Sequence, residues 1–125
     1  MAMSFEYNKG DIVWICIDDK EKKGSEQMGN RPAVIVQNNI SNRVSNTILV
    51  APITDASNIR KLGPNHVFIK KGEGGIHIDS VILCNQIITC DKTKRVVARI
   101  GSLSKIIIKQ INNALKATFD LDDEF

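Results

Sequence analysis

A polar stretch, Gly24 to Asn30 (GSEQMGN), runs into Arg31-Pro32 and then into the apolar Ala33 to Val36. Ser25, Glu26, Gln27 and Arg31 are not the usual turn formers. Together they offer a hydroxyl, a carboxylate, amide donors and a guanidinium fork able to grip two phosphate oxygens at once. A second apolar run, Thr47 to Thr54 (TILVAPIT), ends on a hydroxyl. If these runs pair as antiparallel strands, Arg31 at the start of one lies near Thr54 at the end of the other. Such a cluster suits a phosphate ester. The plainer reading is a surface ion pair between Arg31 and Glu26.

Other chemistry-bearing residues carry less. His66 and His77 are the only histidines and would make an acid–base pair if they met, but His66 sits within NHVFI, where a strand position with a satisfied ring is the simpler account. Lys70 to Gly75 (KKGEGG) lacks the Gly-Lys-Ser/Thr ending of a phosphate loop, and no helical pattern follows it, so it reads as a hairpin turn. Asp11, Asp18, Asp55 and Asp79 lie at strand edges, and no local spacing brings them together as metal ligands. The three cysteines (Cys16, Cys84, Cys90) form no CxxC pair and read as buried free thiols of a reducing compartment.

The elements that must position Arg31 and Thr54 are short apolar runs separated by turns. Asp11 to Ile17 is apolar on both faces, as a strand inside a closed barrel or a dimer would be. Strands are expected at Arg31–Asn38, Thr47–Thr54, His66–Lys70, Asp79–Thr89 and Arg95–Ile100, with NNISNRVSN (38–46) as a turn cluster. Pro52 argues for an edge or a bulge. After Gly101, Ser104 is a candidate N-cap, and Ile107, Ile111, Leu115, Thr118 and Phe119, with Ala114 beside them, recur at helical spacing. Five to seven strands plus a C-terminal helix predict a mainly β fold, a small SH3-like barrel. The expected single domain has an N-terminal lead (1–8), a barrel (9–100), a helix (102–121) and an acidic tail (122–125).

A chain of 125 residues, 42% hydrophobic and 25% charged, has an ordinary globular composition. It has no run near the ~18 apolar residues of a membrane span and no apolar signal stretch at its start, so the cytoplasm is the expected compartment. Four of its 14 acids lie in the last six residues, leaving 17 basic side chains against ten acidic ones elsewhere. That balance attracts a polyanion without amounting to a basic arm. At 5% aromatic residues, stacking on single-stranded bases is a minor grip.

Taken in order, KGDIVWI (Lys9–Ile15), GSEQMGNRPAVIVQN, NRVSNTILVAPIT, KLGPNHVFI, DSVILCNQIITCDK and IGSLS resemble the MazF/PemK family of toxin–antitoxin ribonucleases over about Lys9 to Leu121. The pattern is most like the Gram-positive-type branch, from which Met28, Asn39, Ser41 and Asn85 depart. The resemblance implies an SH3-like barrel with a C-terminal helix, assembled as a homodimer. It implies a metal-independent, cofactor-free endoribonuclease that cuts single-stranded RNA, chiefly mRNA, at a short sequence and leaves 2′,3′-cyclic phosphate and 5′-hydroxyl ends. The family's catalytic arginine and threonine fall on Arg31 and Thr54, with Glu26 the proton acceptor best suited chemically. RNA contacts fall on Ser25, Gln27, Lys61 and Gln86. A MazE-like antitoxin is implied as partner, its disordered acidic segment filling the RNA groove.

Two other readings use the same barrel. A CcdB-like toxin binds gyrase through the end of its C-terminal helix and needs no Arg31/Thr54 pair. A silent RNA-binding barrel keeps the basic body without cleavage. The intact GSEQ–RP and APIT segments favour the nuclease.

Overall fold

The computed structural model describes residues 6–16 and 30–121. Seven strands and two α-helices follow one another as β1 (Asp11–Cys16), β2 (Asn30–Ile35), α1 (Asn39–Val44), β3 (Thr47–Asp55), β4 (His66–Ile69), β5 (Ser80–Leu83), β6 (Ile88–Asp91), β7 (Val96–Ser102) and α2 (Lys105–Phe119). Every strand pair is antiparallel. The sheet order is β4-β5-β3-β2-β1-β7, with β6 paired to β3. Strand number and C-terminal helix match the sequence expectation, while β4 and β7 stand at opposite ends and the sheet is not closed by hydrogen bonds.

Strand periodicity explains why the central runs are apolar throughout. Ile12, Val34, Ala51 and Ile53 feed one core with Ile82, Leu103 and Ile111, while Val13, Ile15, Ala33, Ile35, Ile48 and Val50 feed a second with Tyr7, Cys90 and Val96. Alternate residues of the same strands thus reach different cores, and each fully buried Ile or Val contributes roughly 1.5–3 kcal/mol of apolar transfer. Helix α2 lies over the first core through Ile111 and Ala114. Ser104 caps it by accepting from the Ile107 amide, as expected, and the Glu73 carboxylate accepts from the Ser104 amide at 3.0 Å, where a helix N-terminus favours negative charge. Phe119, assigned to the apolar stripe by spacing, is instead exposed.

Asp11, which sequence reads as a turn-forming edge acid, is buried and fully engaged. It accepts from Ser102 Oγ (2.7 Å) and the Asn8 amide (2.9 Å) and pairs with Arg99 Nε (3.2 Å). Arg99 also lies over the Tyr7 ring, 5.9 Å from its centroid, so one carboxylate joins the N-terminal lead to β1 and β7.

Three expectations are corrected. The cluster read as a turn contains α1, whose Asn38 cap accepts from the Ser41 amide. This short helix is held by tertiary bonds: buried Asn42 exchanges amide contacts with Gln37, at 2.9 Å each. The single strand expected at Asp79–Thr89 is two, because Cys84–Ile87 loops out between β5 and β6. Both pieces run along the same edge of β3, so a continuous apolar run conceals the break. Pro52 lies in a central strand, at the last position paired with β2, where the ladder ends and a missing N–H is tolerated.

Cys84 and Cys90 are buried, and burial pushes the Cys84 thiol up to about 11. It stays protonated and unreactive at neutral pH, in keeping with structural thiols. Among the described residues, no helix is long and apolar enough to cross a membrane.

Candidate functional site

Strand β3 changes partners along its length. Val50 to Pro52 pair with β2, whereas Ile53 to Asp55 pair with β5 on the opposite edge. Continuing the β2–β3 register two residues beyond Ala33–Pro52 would set Arg31 opposite Thr54, but the ladder stops there. The opening this leaves is a groove of about 440 Å³. Arg31 and Pro32 line one side, with Trp14, the register partner of Pro32, beside them. Thr54 and Asp55 line the other. The connection from β4 to β5 supplies the third wall through Gly75 to Ile78, and Ile100 of β7 contributes apolar surface.

The two residues singled out from sequence therefore share one solvent-accessible groove. Arg31 is exposed; the ion pair with Glu26 that sequence offers as the plainer reading lies outside the described residues. Thr54 is half-buried, and its Oγ1 accepts a hydrogen bond from Asn58 Nδ2 at 2.9 Å. Asn58 ends a short 3-10 turn, Ala56–Asn58, that directly follows β3. Asp55 caps this turn by accepting from the Ser57 amide (2.9 Å), and its hydrogen bonds from Ser57 hold its carboxyl below the usual range. It stays ionised and structurally committed, which leaves it a weak base.

The remaining candidates separate. His66 Nδ1 accepts from the Gly63 amide at 3.0 Å, whereas His77 lines the groove, so the two imidazoles do not form an acid–base pair. KKGEGG is a turn between antiparallel β4 and β5, with Gly72, Gly74 and Gly75 at positive φ. Lys61 lies exposed between the 3-10 turn and β4, and Gln86 lies exposed in the looped-out segment. Neither is among the residues lining the groove. Ser25, Glu26 and Gln27 fall outside the described residues. Among the described residues, no three His, Cys, Asp or Glu side chains gather where a metal ion could be held.

Sequence reasoning missed Asn58 and Trp14, and weighed His77 only as a partner for His66. Asn58 carries a weak signal, four residues after a hydroxyl in a turn-rich segment. Trp14 and His77 reach the groove only through long-range pairing.

A family model described as PemK-like, MazF-like toxin of type II toxin–antitoxin system matches residues 8–119. The chain is 44% identical over 115 residues to an Endoribonuclease MazF of Staphylococcus epidermidis, covering 92% of each. It is 43% identical over 113 residues to that of Staphylococcus saprophyticus, covering 90% of this chain and 91% of the relative. Among solved structures, the Mycobacterium tuberculosis toxin MazF-mt6 superposes with a TM-score of 0.69 at 24% identity, covering 88% of this chain and 97% of that one. A chain of a MazE–MazF structure from Deinococcus radiodurans superposes with a TM-score of 0.69 at 16% identity, covering 95% of this chain and 100% of that one. These structural likenesses bear on the fold.

Proposed function

The chain belongs to the PemK-like, MazF-like family of type II toxin–antitoxin toxins and is an RNA-cleaving enzyme of that family; on that premise we propose that the Arg31/Thr54 groove is its active site. The supporting observation is that Arg31 and Thr54 line the same groove where β3 parts from β2. The substrate is single-stranded mRNA in the cytoplasm, and the enzyme works as a homodimer.

In this reading the 2′-hydroxyl of the nucleotide before the cut attacks the adjacent phosphorus. The P–O5′ bond breaks and the departing O5′ takes up a proton from water, giving a 2′,3′-cyclic phosphate and a 5′-hydroxyl. The pentacoordinate intermediate carries extra charge on its equatorial oxygens. Arg31 meets that charge with two parallel donors, and Thr54 adds a hydroxyl donor, an arrangement that stabilises the transition state more than the ground state. A guanidinium retains its proton too firmly to serve well as the base. Glu26 takes the 2′-proton in this scheme, and Ser25, Gln27, Lys61 and Gln86 contact RNA beyond the groove.

Purified protein incubated with a long mixed single-stranded RNA should cut at discrete sites, leave cyclic phosphate ends and retain its rate in excess EDTA. Gyrase supercoiling should proceed unaffected. Activity lost on chelation and restored by a divalent ion would overturn the metal-independent scheme, and gyrase arrest without RNA cuts would favour the CcdB-like alternative.

The antitoxin in this proposal masks the groove with acidic side chains, supported by the excess of basic over acidic residues outside the last six positions. A disordered acidic peptide from the cognate antitoxin should raise the apparent Kd for RNA in proportion to its concentration. Inhibition with RNA affinity unchanged would exclude this competition.

A further inference from the structure

The groove contains a hydroxyl whose orientation is set by a neighbour with no role so far. Thr54 Oγ1 has one proton to give and two lone pairs to receive with. Asn58 Nδ2 occupies one lone pair at 2.9 Å. Among the described residues this is the only hydrogen bond at Thr54 Oγ1, and because the hydroxyl accepts in it, the bond does not use the hydroxyl proton. A carbonyl or carboxylate in the same place would do the opposite, accepting that proton and turning it from the groove.

Asn58 is held in position for this. The 3-10 turn that carries it is fastened at its start by Asp55 Oδ1 accepting from the Ser57 amide, and by the Ala56 amide donating to the Asp79 carbonyl at 3.0 Å. At its end the Ile59 amide donates to the Ala56 carbonyl at 3.1 Å. Asp79 immediately precedes β5, the strand that pairs with Thr54 through Val81. Both groups of the bond are therefore referenced to the same two strands, which limits their relative movement. Asn58 is exposed and contributes nothing to either core, so its hydrogen bond is the feature that calls for a role.

We propose that Asn58 is a positioning residue for RNA cleavage: its side-chain amide donates to Thr54 Oγ1 and directs the threonine proton to the scissile phosphate. The inference rests on the assignment of Thr54 to the active site. Its contribution lies in avoided reorganisation, since a free hydroxyl rotor must be aligned during the reaction and a held one is aligned beforehand.

The test is single-turnover cleavage at saturating RNA, with RNA affinity and melting temperature measured alongside. Asn58→Ala should lower the cleavage rate constant by about tenfold, and Asn58→Asp by about a hundredfold because its carboxylate captures the Thr54 proton. The melting temperature should stay unchanged in both, and RNA affinity should stay within about twofold in Asn58→Ala. Thr54→Val should be strongly impaired, and adding Asn58→Ala to it should change its residual rate by less than about twofold, because the two act as one unit. An Asn58→Asp variant as fast as the parent would mean that the amide oxygen faces Thr54, one only as slow as Asn58→Ala would mean that the carboxylate captures no proton, and a full tenfold loss in the Thr54→Val background would mean that Asn58 acts elsewhere; any of these results overturns the proposal. An impaired Thr54→Val with a wild-type-like Asn58→Ala would overturn the positioning role alone, whereas a fully active Thr54→Val would overturn the active-site assignment itself.

Discussion

Arg31→Ala should cleave single-stranded RNA at least about a thousandfold more slowly than the parent protein at saturating RNA. One preorganised donor at a developing oxyanion is worth on the order of 10²–10³ in rate, and the guanidinium can present two donors together with a full charge. Arg31 is exposed at the mouth of the groove and contributes no buried surface to either core, so the variant should melt within about 0.5 kcal/mol of the parent. Arg31→Lys should recover only a small part of the rate, because an ammonium supplies the charge but not the planar fork. Single-turnover assays with circular dichroism melts separate chemistry from folding. Wild-type cleavage by Arg31→Ala would remove this groove from consideration as the catalytic centre.

The second large effect is expected far from any reacting atom. A Cβ at Gly101 would stand 2.4 Å from the Gly74 carbonyl oxygen and 2.9 Å from its carbon. Both neighbours are backbone, so no side-chain rotation relieves the clash, and β7 or the Glu73–Gly75 turn must move. β7 is held to β1 at this level, with Gly101 opposite Ile12 beside a register shift. The turn is held by the Glu73 contact to Ser104. Gly101→Ala should therefore lose about 2–4 kcal/mol and melt roughly 10 °C lower. Because Gly75 to His77 line the groove, residual activity should fall as well. Gly72→Ala is the matching control: its Cβ would meet nothing within 4 Å, but φ is +100°. That variant should lose only the backbone-conformation cost, about 1 kcal/mol. A Gly101→Ala protein that melts within about 2 °C of the parent would show that β7 and the turn are not in the close contact described.

The apolar runs show how far local pattern reaches. DIVWICI and TILVAPIT identify β1 and β3 because apolar runs rich in β-branched residues suit strands buried largely on both faces. Ser104 followed by apolar residues at helical spacing identifies α2 for an equally local reason. Local pattern fails where the determining partner is distant. Gln37 and Asn42 stabilise α1 through a contact with no periodic signature, and nothing in SVILCNQIIT announces that four residues must loop out for both halves to follow β3.

The same division holds for the site. Sequence alone determined the family and the strand-rich architecture with its closing helix, and it singled out Arg31 and Thr54 as the pair proposed for phosphate chemistry, since side-chain type and motif order survive without coordinates. Tertiary structure alone decided that the two share a groove, that Asn58 holds the threonine hydroxyl, and that His77 rather than His66 stands nearby. The groove lies where β3 loses β2 after Pro52 while its other edge exchanges β6 for β5. That exchange depends on hydrogen-bond register among segments more than a dozen residues apart, which periodicity along a single chain does not encode.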